Sequence, residues 1–75
     1  MSPKLPRLTA KELVAALKKL DFVEHHQKGS HLILKHLSRN CRVSVPMHSG
    51  RILKLGTLKS ILEQAQVSIE DILIK

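Results

Sequence analysis

The sequence predicts an α+β fold with the order α-β-β-β-α and a short extra helix at the C-terminal end. Two stretches, near the start and after residue 57, repeat apolar residues at helical spacing, and the stretch between them alternates as strands do. Each element has one apolar face, so we expect a three-stranded antiparallel sheet with both helices on one side. Its 75 residues are expected to form one domain over residues 1–75, with a flexible N-terminus at 1–8.

The first helix is predicted to run from about Ala10 to Leu20. Thr9 and Glu12 have the spacing of a capping box, in which a hydroxyl and a carboxylate satisfy backbone donors at the start of a helix. The apolar stripe that would face the sheet then follows at helical spacing and consists of Leu13, Ala16, Leu17 and Leu20.

Three strands are predicted next, with the sequences FVEHHQ (22–27), HLILKH (31–36) and CRVSVP (41–46). Gly29 lies in the turn between the first two, where a glycine can take a positive φ. Because side chains alternate along a strand, one face is expected to carry Leu32, Leu34, Val43 and Val45 toward the helices. The other face, which we call the open face, is expected to carry His31, Lys35, Arg42 and Ser44.

An irregular basic loop is expected after Pro46, which cannot donate a hydrogen bond and ends the third strand. The second helix is predicted to have Thr57 as its N-cap. Ser68 and Asp71 have capping spacing and predict a last helical turn or two. The apolar stripe of the second helix consists of Leu58, Ile61, Leu62 and Ala65.

Composition excludes several classes of protein. Phe22 is the single residue of the types Phe, Trp and Tyr, so the base-stacking platforms of RNA-recognition motifs and OB-folds are not expected. Cys41 is the one cysteine, which excludes an internal disulfide and a CxxC motif. The N-terminal sequence MSPKLPRLT has neither a signal-peptide core nor a membrane-spanning segment, so we expect a cytoplasmic protein with no membrane partner.

The positive charge is concentrated in the middle of the chain. The formal net charge is +7, and the stretch from His25 through Leu62 holds seven Lys and Arg residues, all five histidines and no Asp or Glu. This pattern favours a polyanionic partner, most often a nucleic acid. A solvated basic surface that aids solubility is the plainer interpretation.

The five histidines do not predict a metal site. Alternation along a strand places the adjacent His25 and His26 on opposite faces, and it separates His31 from His36 in the same way. The basic middle of the chain also has no carboxylate to complete a metal site or to orient a catalytic histidine in a triad. We therefore expect no metal and no cofactor.

A histidine among cations suits the cleavage of RNA by its own 2′-hydroxyl group, which needs proton transfer and stabilisation of the phosphorane charge. An ordinary histidine has a pKa of about 6.5 and can transfer this proton near neutrality. His31 is the candidate for that role, and His48 is a candidate second proton-transfer group. The candidate phosphate-binding residues are Lys28, Gly29, Ser30, Lys35, Arg42, Lys54 and Lys59.

These residues alone leave the function open, and for His31 and Gly29 they favour the plainer interpretation. In that interpretation, His31 is an exposed strand residue and Gly29 only a turn residue. The same basic surface would suit a non-catalytic module that binds double-stranded RNA by shape. A protein-interaction module with an acidic partner is a third class.

Three segments that follow a first helix ending in LKKLDF carry a resemblance to a known family: QKGSHLILKH, VSVPMHSG and LKLGTLKSILEQAQVSIEDIL. In this order, from about Lys11 to Leu73, the chain resembles the HicA (YcfA-like) toxins, small mRNA interferases of bacterial and archaeal toxin–antitoxin modules. The resemblance implies a double-stranded-RNA-binding-domain-like fold and metal-independent cleavage of mRNA. His31, the histidine of the GSH motif, would be the catalytic residue.

The resemblance also implies a HicB-type antitoxin as partner, which would cover the active face in a toxin–antitoxin hetero-oligomer. Asp21 departs from the family pattern, in which a glycine commonly precedes the phenylalanine. This departure alters a helix end and leaves the GSH motif intact. We therefore expect an endoribonuclease toxin that acts on mRNA, and the non-catalytic double-stranded-RNA-binding module is the alternative.

Overall fold

The computed structural model describes residues 7–47 and 51–73, and it has the predicted α-β-β-β-α order with a short last helix. The three strands form one antiparallel sheet in the order β1-β2-β3. Within the described ranges, no helix has the length and apolar character needed to cross a bilayer. The elements are α1 (Ala10–Lys19), β1 (Phe22–Lys28), β2 (His31–His36), β3 (Arg42–Pro46), α2 (Leu55–Ala65) and α3 (Ile69–Leu73).

Helix α1 begins with the predicted capping box. The Thr9 backbone N–H donates to Glu12 Oε1 at 2.9 Å, and the Glu12 N–H donates to Thr9 Oγ1 at 3.2 Å. The first of these bonds, together with the bond that the Thr9 hydroxyl donates to Glu12 Oε1 at 3.1 Å, stabilises the charged form and holds the pKa of the Glu12 carboxyl below its ordinary value. The buried stripe of α1 is Ala10, Leu13, Val14 and Leu17.

One core lies between the helices and the inner side of the sheet. Leu32, Leu34, Val43 and Val45 are all buried there, together with Phe22 from β1 and the apolar stripe of α2. On the other side, His31, Lys35 and Arg42 are exposed and Ser44 is half-buried. The predicted division of the sheet into an apolar face and an open face is therefore confirmed.

Strand β1 contains a bulge that the sequence did not reveal. Glu24 lies opposite Leu34 and His26 lies opposite Ile33, so His25 is an extra residue in the ladder. The rings of His25 and His26 meet edge to face, with centroids 5.2 Å apart. The prediction that alternation sends these two side chains to opposite faces is wrong, because the bulge interrupts the alternation.

Helix α2 begins two residues before the predicted N-cap. Its N-cap is Lys54, which makes no side-chain capping bond, and Thr57 lies inside the first turn. The chain before α2 is held by tertiary contacts: the Leu53 N–H donates to the Leu8 carbonyl at 2.7 Å, and Thr9 forms a bridge with Ile52. These contacts fix where the helix starts. Thr57 as N-cap was therefore a wrong prediction.

The C-terminal helix α3 begins with the predicted Ser68–Asp71 cap. The Ser68 N–H donates to Asp71 Oδ2 at 2.9 Å, and the Asp71 N–H donates to Ser68 Oγ at 3.3 Å. The pKa of the Asp71 carboxyl is lowered by the first of these bonds and by the bond that the Ser68 hydroxyl donates to Asp71 Oδ2 at 3.0 Å. The charge of Arg39 lowers it to a smaller extent. Of the N-terminal residues predicted to be flexible, 1–6 lie outside the described residues.

Candidate functional site

The strand register arranges the open face in three rows across the sheet, since directly opposed residues share a face. The first row contains His31, the second contains Ile33 and the third contains Lys35. Taken from β1 to β3, the rows are Lys28–His31–Pro46, His26–Ile33–Ser44 and Val23–Lys35–Arg42. Cationic side chains therefore lie at both ends of the open face.

His31 is the first residue of β2 and follows a two-residue turn. Gly29 has φ 59° while Ser30 does not have a positive φ, the pattern of a type II′ hairpin turn. Gln27 Nε2 donates to the Gly29 carbonyl at 3.2 Å, and the Met47 N–H donates to the Ser30 carbonyl at 2.6 Å. Both turn carbonyls are thus engaged, and the turn presents an exposed His31 from a fixed backbone.

A polar stripe of α2 borders the open face along β3. Gln64 Oε1 accepts the Ser44 backbone N–H at 3.5 Å, and Gln64 Nε2 donates to Ser60 Oγ at 3.4 Å. Together with the sheet, this stripe forms a shallow groove around the catalytic candidate. We call it the His31 groove, and its main residues are His31, Ser44, Pro46, Thr57, Ser60 and Gln64.

Two further grooves continue the His31 groove in both directions. One of them, which we call the Arg42 groove, shares Ser44 and Gln64 with the His31 groove. The other, which we call the Lys54 groove, shares Pro46 and Thr57 with it. None of the described side chains that line the three grooves carries a carboxylate. The Arg42 groove is formed by His26, Lys28, Ile33, Arg42, Ser44 and Gln64, and the Lys54 groove by Pro46, Arg51, Ile52, Leu53, Lys54 and Thr57.

The structure brings some of the predicted site residues together and separates others. Lys28, Arg42 and Lys54 line grooves that are continuous with the one at His31. Lys35 lies directly opposite Arg42 on the same face. Lys59 precedes Ser60 on α2, and a rotation of about 100° per residue turns it away from the polar stripe. His48 lies outside the described residues.

Sequence reasoning missed the polar stripe of α2 and one basic residue. Thr57, Ser60 and Gln64 recur at helical spacing beside the apolar stripe, a signal that could have marked a second functional side of this helix. Arg51 was counted among the basic residues without being assigned to the site, where it lines the Lys54 groove. His26 joins the open face only through the bulge, and the local sequence gives no signal for that.

His36, at the other end of β2, has a structural role. It is 8% exposed, and its ring meets Phe22 edge-on with centroids 4.9 Å apart. Its Nδ1 accepts the backbone N–H groups of Ser38 at 3.1 Å and Arg39 at 2.9 Å, so the imidazole holds the turn after β2. Over residues 7–47 and 51–73, no three His, Cys, Asp or Glu side chains gather as a metal site requires.

Comparison with known families gives one match. The family model described as the HicA toxin of bacterial toxin-antitoxin matches residues 10–67. This range runs from the first residue of α1 to just beyond α2 and contains the whole sheet, His31 and the polar stripe. A search of curated proteins gives no match to this chain.

Proposed function

This chain belongs to the HicA toxin family, and we propose that it is a metal-independent endoribonuclease that cleaves mRNA and thereby inhibits translation and growth. The family match supports a toxin of a toxin–antitoxin module, a nuclease activity and an antitoxin partner. The observation that carries the proposal is the position of His31. It is an exposed histidine that follows a fixed turn, and it stands in a groove lined by hydroxyls between two grooves lined by cations. No carboxylate of the described residues lines any of the three grooves.

The proposed chemistry uses the RNA as its own nucleophile. The 2′-hydroxyl attacks the adjacent phosphate, and the protein supplies proton transfer and positive charge. His31 would exchange the proton, since imidazole works near neutral pH in either direction. Lys28 and Arg42 on one side, and Arg51 and Lys54 on the other, would bind phosphates of the chain that passes His31.

The proposed antitoxin is a HicB-type protein that covers the open face and forms a hetero-oligomer with the toxin. Acidic side chains of a partner would complement the exposed cations of the three grooves. Apolar anchoring is also present beside the Lys54 groove, where Ile52 is 51% exposed and Leu55 is 55% exposed. A partner seated there would block the path of RNA to His31.

The decisive experiment incubates RNA with wild type and with His31→Ala, both in EDTA. We expect wild type to cut and the variant to cut about 10²–10⁴-fold more slowly, the usual contribution of a general acid or base. RNA affinity should change little, because the cations remain. Full activity of His31→Ala would refute the assignment, and cleavage of RNA that is 2′-deoxy at the scissile step would exclude the 2′-hydroxyl route.

The second candidate function is a non-catalytic module that binds double-stranded RNA by shape. The observation that favours it is the pair of cationic rows on the open face, which could contact phosphates without any chemistry. This function predicts tight, salt-dependent binding of duplex RNA and no cuts after prolonged incubation. The cleavage assay therefore separates the two functions.

A further inference from the structure

We propose that His26 is the second proton-transfer group of this nuclease and that it works as a pair with His31. This inference rests on the proposed function and adds a residue to it. The sequence alone predicted no role at the site for His26. The strand register now places it on the same face as His31, and one groove further along the path proposed for RNA.

Two proton transfers are needed when the 2′-hydroxyl is the nucleophile. One imidazole takes the proton of the 2′-hydroxyl while the 2′-oxygen forms its bond to phosphorus. The bond between phosphorus and the 5′-oxygen then breaks, and the second imidazole, in its protonated form, gives its proton to that departing oxygen. The products are a 2′,3′-cyclic phosphate and a 5′-hydroxyl, and no water or oxidant is consumed in this step. A single histidine fills only one role at a time.

The bulge in β1 creates the pairing. Lys28 lies opposite His31 and His26 lies opposite Ile33, so His26 and His31 are diagonal neighbours across β1 and β2. Diagonal neighbours in an antiparallel pair are about 7–8 Å apart, within reach of aromatic and long side chains. Imidazole side chains based at positions with this spacing can approach one phosphate from two sides.

The surroundings of the two histidines also fit a shared phosphate. The Arg42 groove holds His26, and it meets the His31 groove at Ser44 and Gln64. The other charged or titratable groups on this part of the open face are the cations Lys28, Lys35 and Arg42 and the ring of His25. A phosphate at the junction would contact positive charge from β1 and β3 while it lies between the imidazoles.

Neither of the other described histidines fits this role. His36 is buried on the opposite face, and its Nδ1 is engaged by two backbone N–H groups. His25 is exposed beside His26 but is the extra residue of the bulge and does not line the Arg42 groove. His25 therefore offers a matched control for changes at His26.

The test compares wild type, His26→Gln, His31→Gln and His25→Gln on one RNA oligonucleotide in EDTA, under single-turnover conditions that separate binding from chemistry. Glutamine keeps hydrogen bonding but cannot exchange a proton. We expect His26→Gln and His31→Gln each to cut about 10²–10⁴-fold more slowly, with affinity for a 2′-deoxy version of the oligonucleotide retained. The wild-type pH–rate profile should be bell-shaped, and each variant should lose one limb. His25→Gln should behave as wild type.

The outcomes separate the two proposals. Absence of cleavage by wild type, or full activity of His31→Gln, would overturn the proposed function itself. If His31→Gln is inactive while His26→Gln keeps the wild-type rate and both limbs, the function stands and the pairing is overturned. A slow His26→Gln whose defect lies entirely in RNA affinity would also overturn the pairing, because His26 would then bind substrate without transferring a proton.

A second RNA assigns the two roles. In this RNA, sulfur replaces the bridging 5′-oxygen at the bond that wild type cleaves. The leaving group is then a thiolate, which departs without needing a proton. The variant that lacks the general acid should then regain most of the wild-type rate, and the variant that lacks the base should remain slow. Recovery by neither variant would contradict the acid–base pair.

Discussion

Strand β2 begins and ends with a histidine, and the two ends of the strand differ in almost every physical respect. His31 is exposed on the open face, beside a turn and between cationic grooves. His36 is buried on the opposite face, where Phe22 and two backbone N–H groups surround its ring. The five-residue separation places the two on opposite faces. The same type of side chain thus supports folding at one end and, in the proposed function, proton transfer at the other.

The largest expected effect follows from substitution of His31, which should lower the rate of RNA cleavage without lowering the stability of the fold. His31→Ala should slow RNA cleavage by about 10²–10⁴-fold, and it should change the free energy of unfolding by no more than about 0.5 kcal/mol, as surface substitutions usually do. The cleavage assay measures the change in rate, and urea denaturation measures the change in the free energy of unfolding. A large loss of stability would mean that His31 holds the fold, and the contrast between the two ends would fail.

The reverse pattern is expected at the His36 end. His36→Ala removes a buried ring and leaves the Ser38 and Arg39 N–H groups without their acceptor, so we expect a loss of about 2–4 kcal/mol of stability. Equilibrium denaturation measures this loss. The fraction that remains folded should cleave RNA at close to the wild-type rate, whereas a rate defect larger than the unfolded fraction explains would give His36 a catalytic role.

A smaller effect on stability is expected at two residues near the His36 end of β2 whose backbone has the left-handed conformation. Gln66 and Asp21 have positive φ values of 59° and 71°, and their carbonyls accept hydrogen bonds from Arg39 and Leu37. Gln66→Gly should stabilise the protein by about 0.5–1 kcal/mol, because glycine takes this conformation without steric cost. Asp21→Gly should stabilise less, since Asp tolerates it better. Thermal denaturation of both variants and of a Gln66→Ala control, expected to give no gain, tests the ranking.

The smallest effects are at the two acidic helix caps, one near each end of the sheet. The pKa values of Glu12 and Asp71 are lowered by backbone N–H groups, so both carboxylates stabilise the fold above their unfolded pKa values of 4.5 and 3.8. This contribution should disappear as the pH falls through the lower folded values. Denaturation of wild type, Glu12→Gln and Asp71→Asn from pH 6 to pH 2 should show differences that shrink at low pH. Added salt should weaken the Asp71 contribution more, because Arg39 contributes there.

The sequence predicted those parts of the fold that depend on local periodicity. Alternation identified the exposed side of His31, and the hydroxyl–carboxylate spacing identified both capping boxes. The start of α2 was missed, because contacts of Leu8 and Thr9 with the preceding loop fix it and Thr57 offered a stronger local signal. Tertiary contacts of this kind leave no trace in the spacing of residues.

The candidate site was predicted only in part for a similar reason. The open-face positions of Lys35 and Arg42 followed from alternation along β2 and β3, whereas Lys28 reaches this face only through the bulge in β1. The position of Ser60 and Gln64 next to the open face depends on how α2 lies beside β3, which no single segment encodes. The position of His26 on the open face was not predicted, because the sequence VEHHQ contains no residue that marks a bulge.

The bond from the Ser44 N–H to Gln64 also bears on how other proteins can approach the sheet. An edge strand with unpaired backbone groups is a template for strand addition and aggregation. Here Gln64 engages a backbone donor of the β3 edge, and the bulge at His25 breaks the regular ladder of β1. In the part of the chain that the structure describes, both edges are therefore poor templates for another strand. An incoming protein is directed to the faces of the sheet, where the grooves lie.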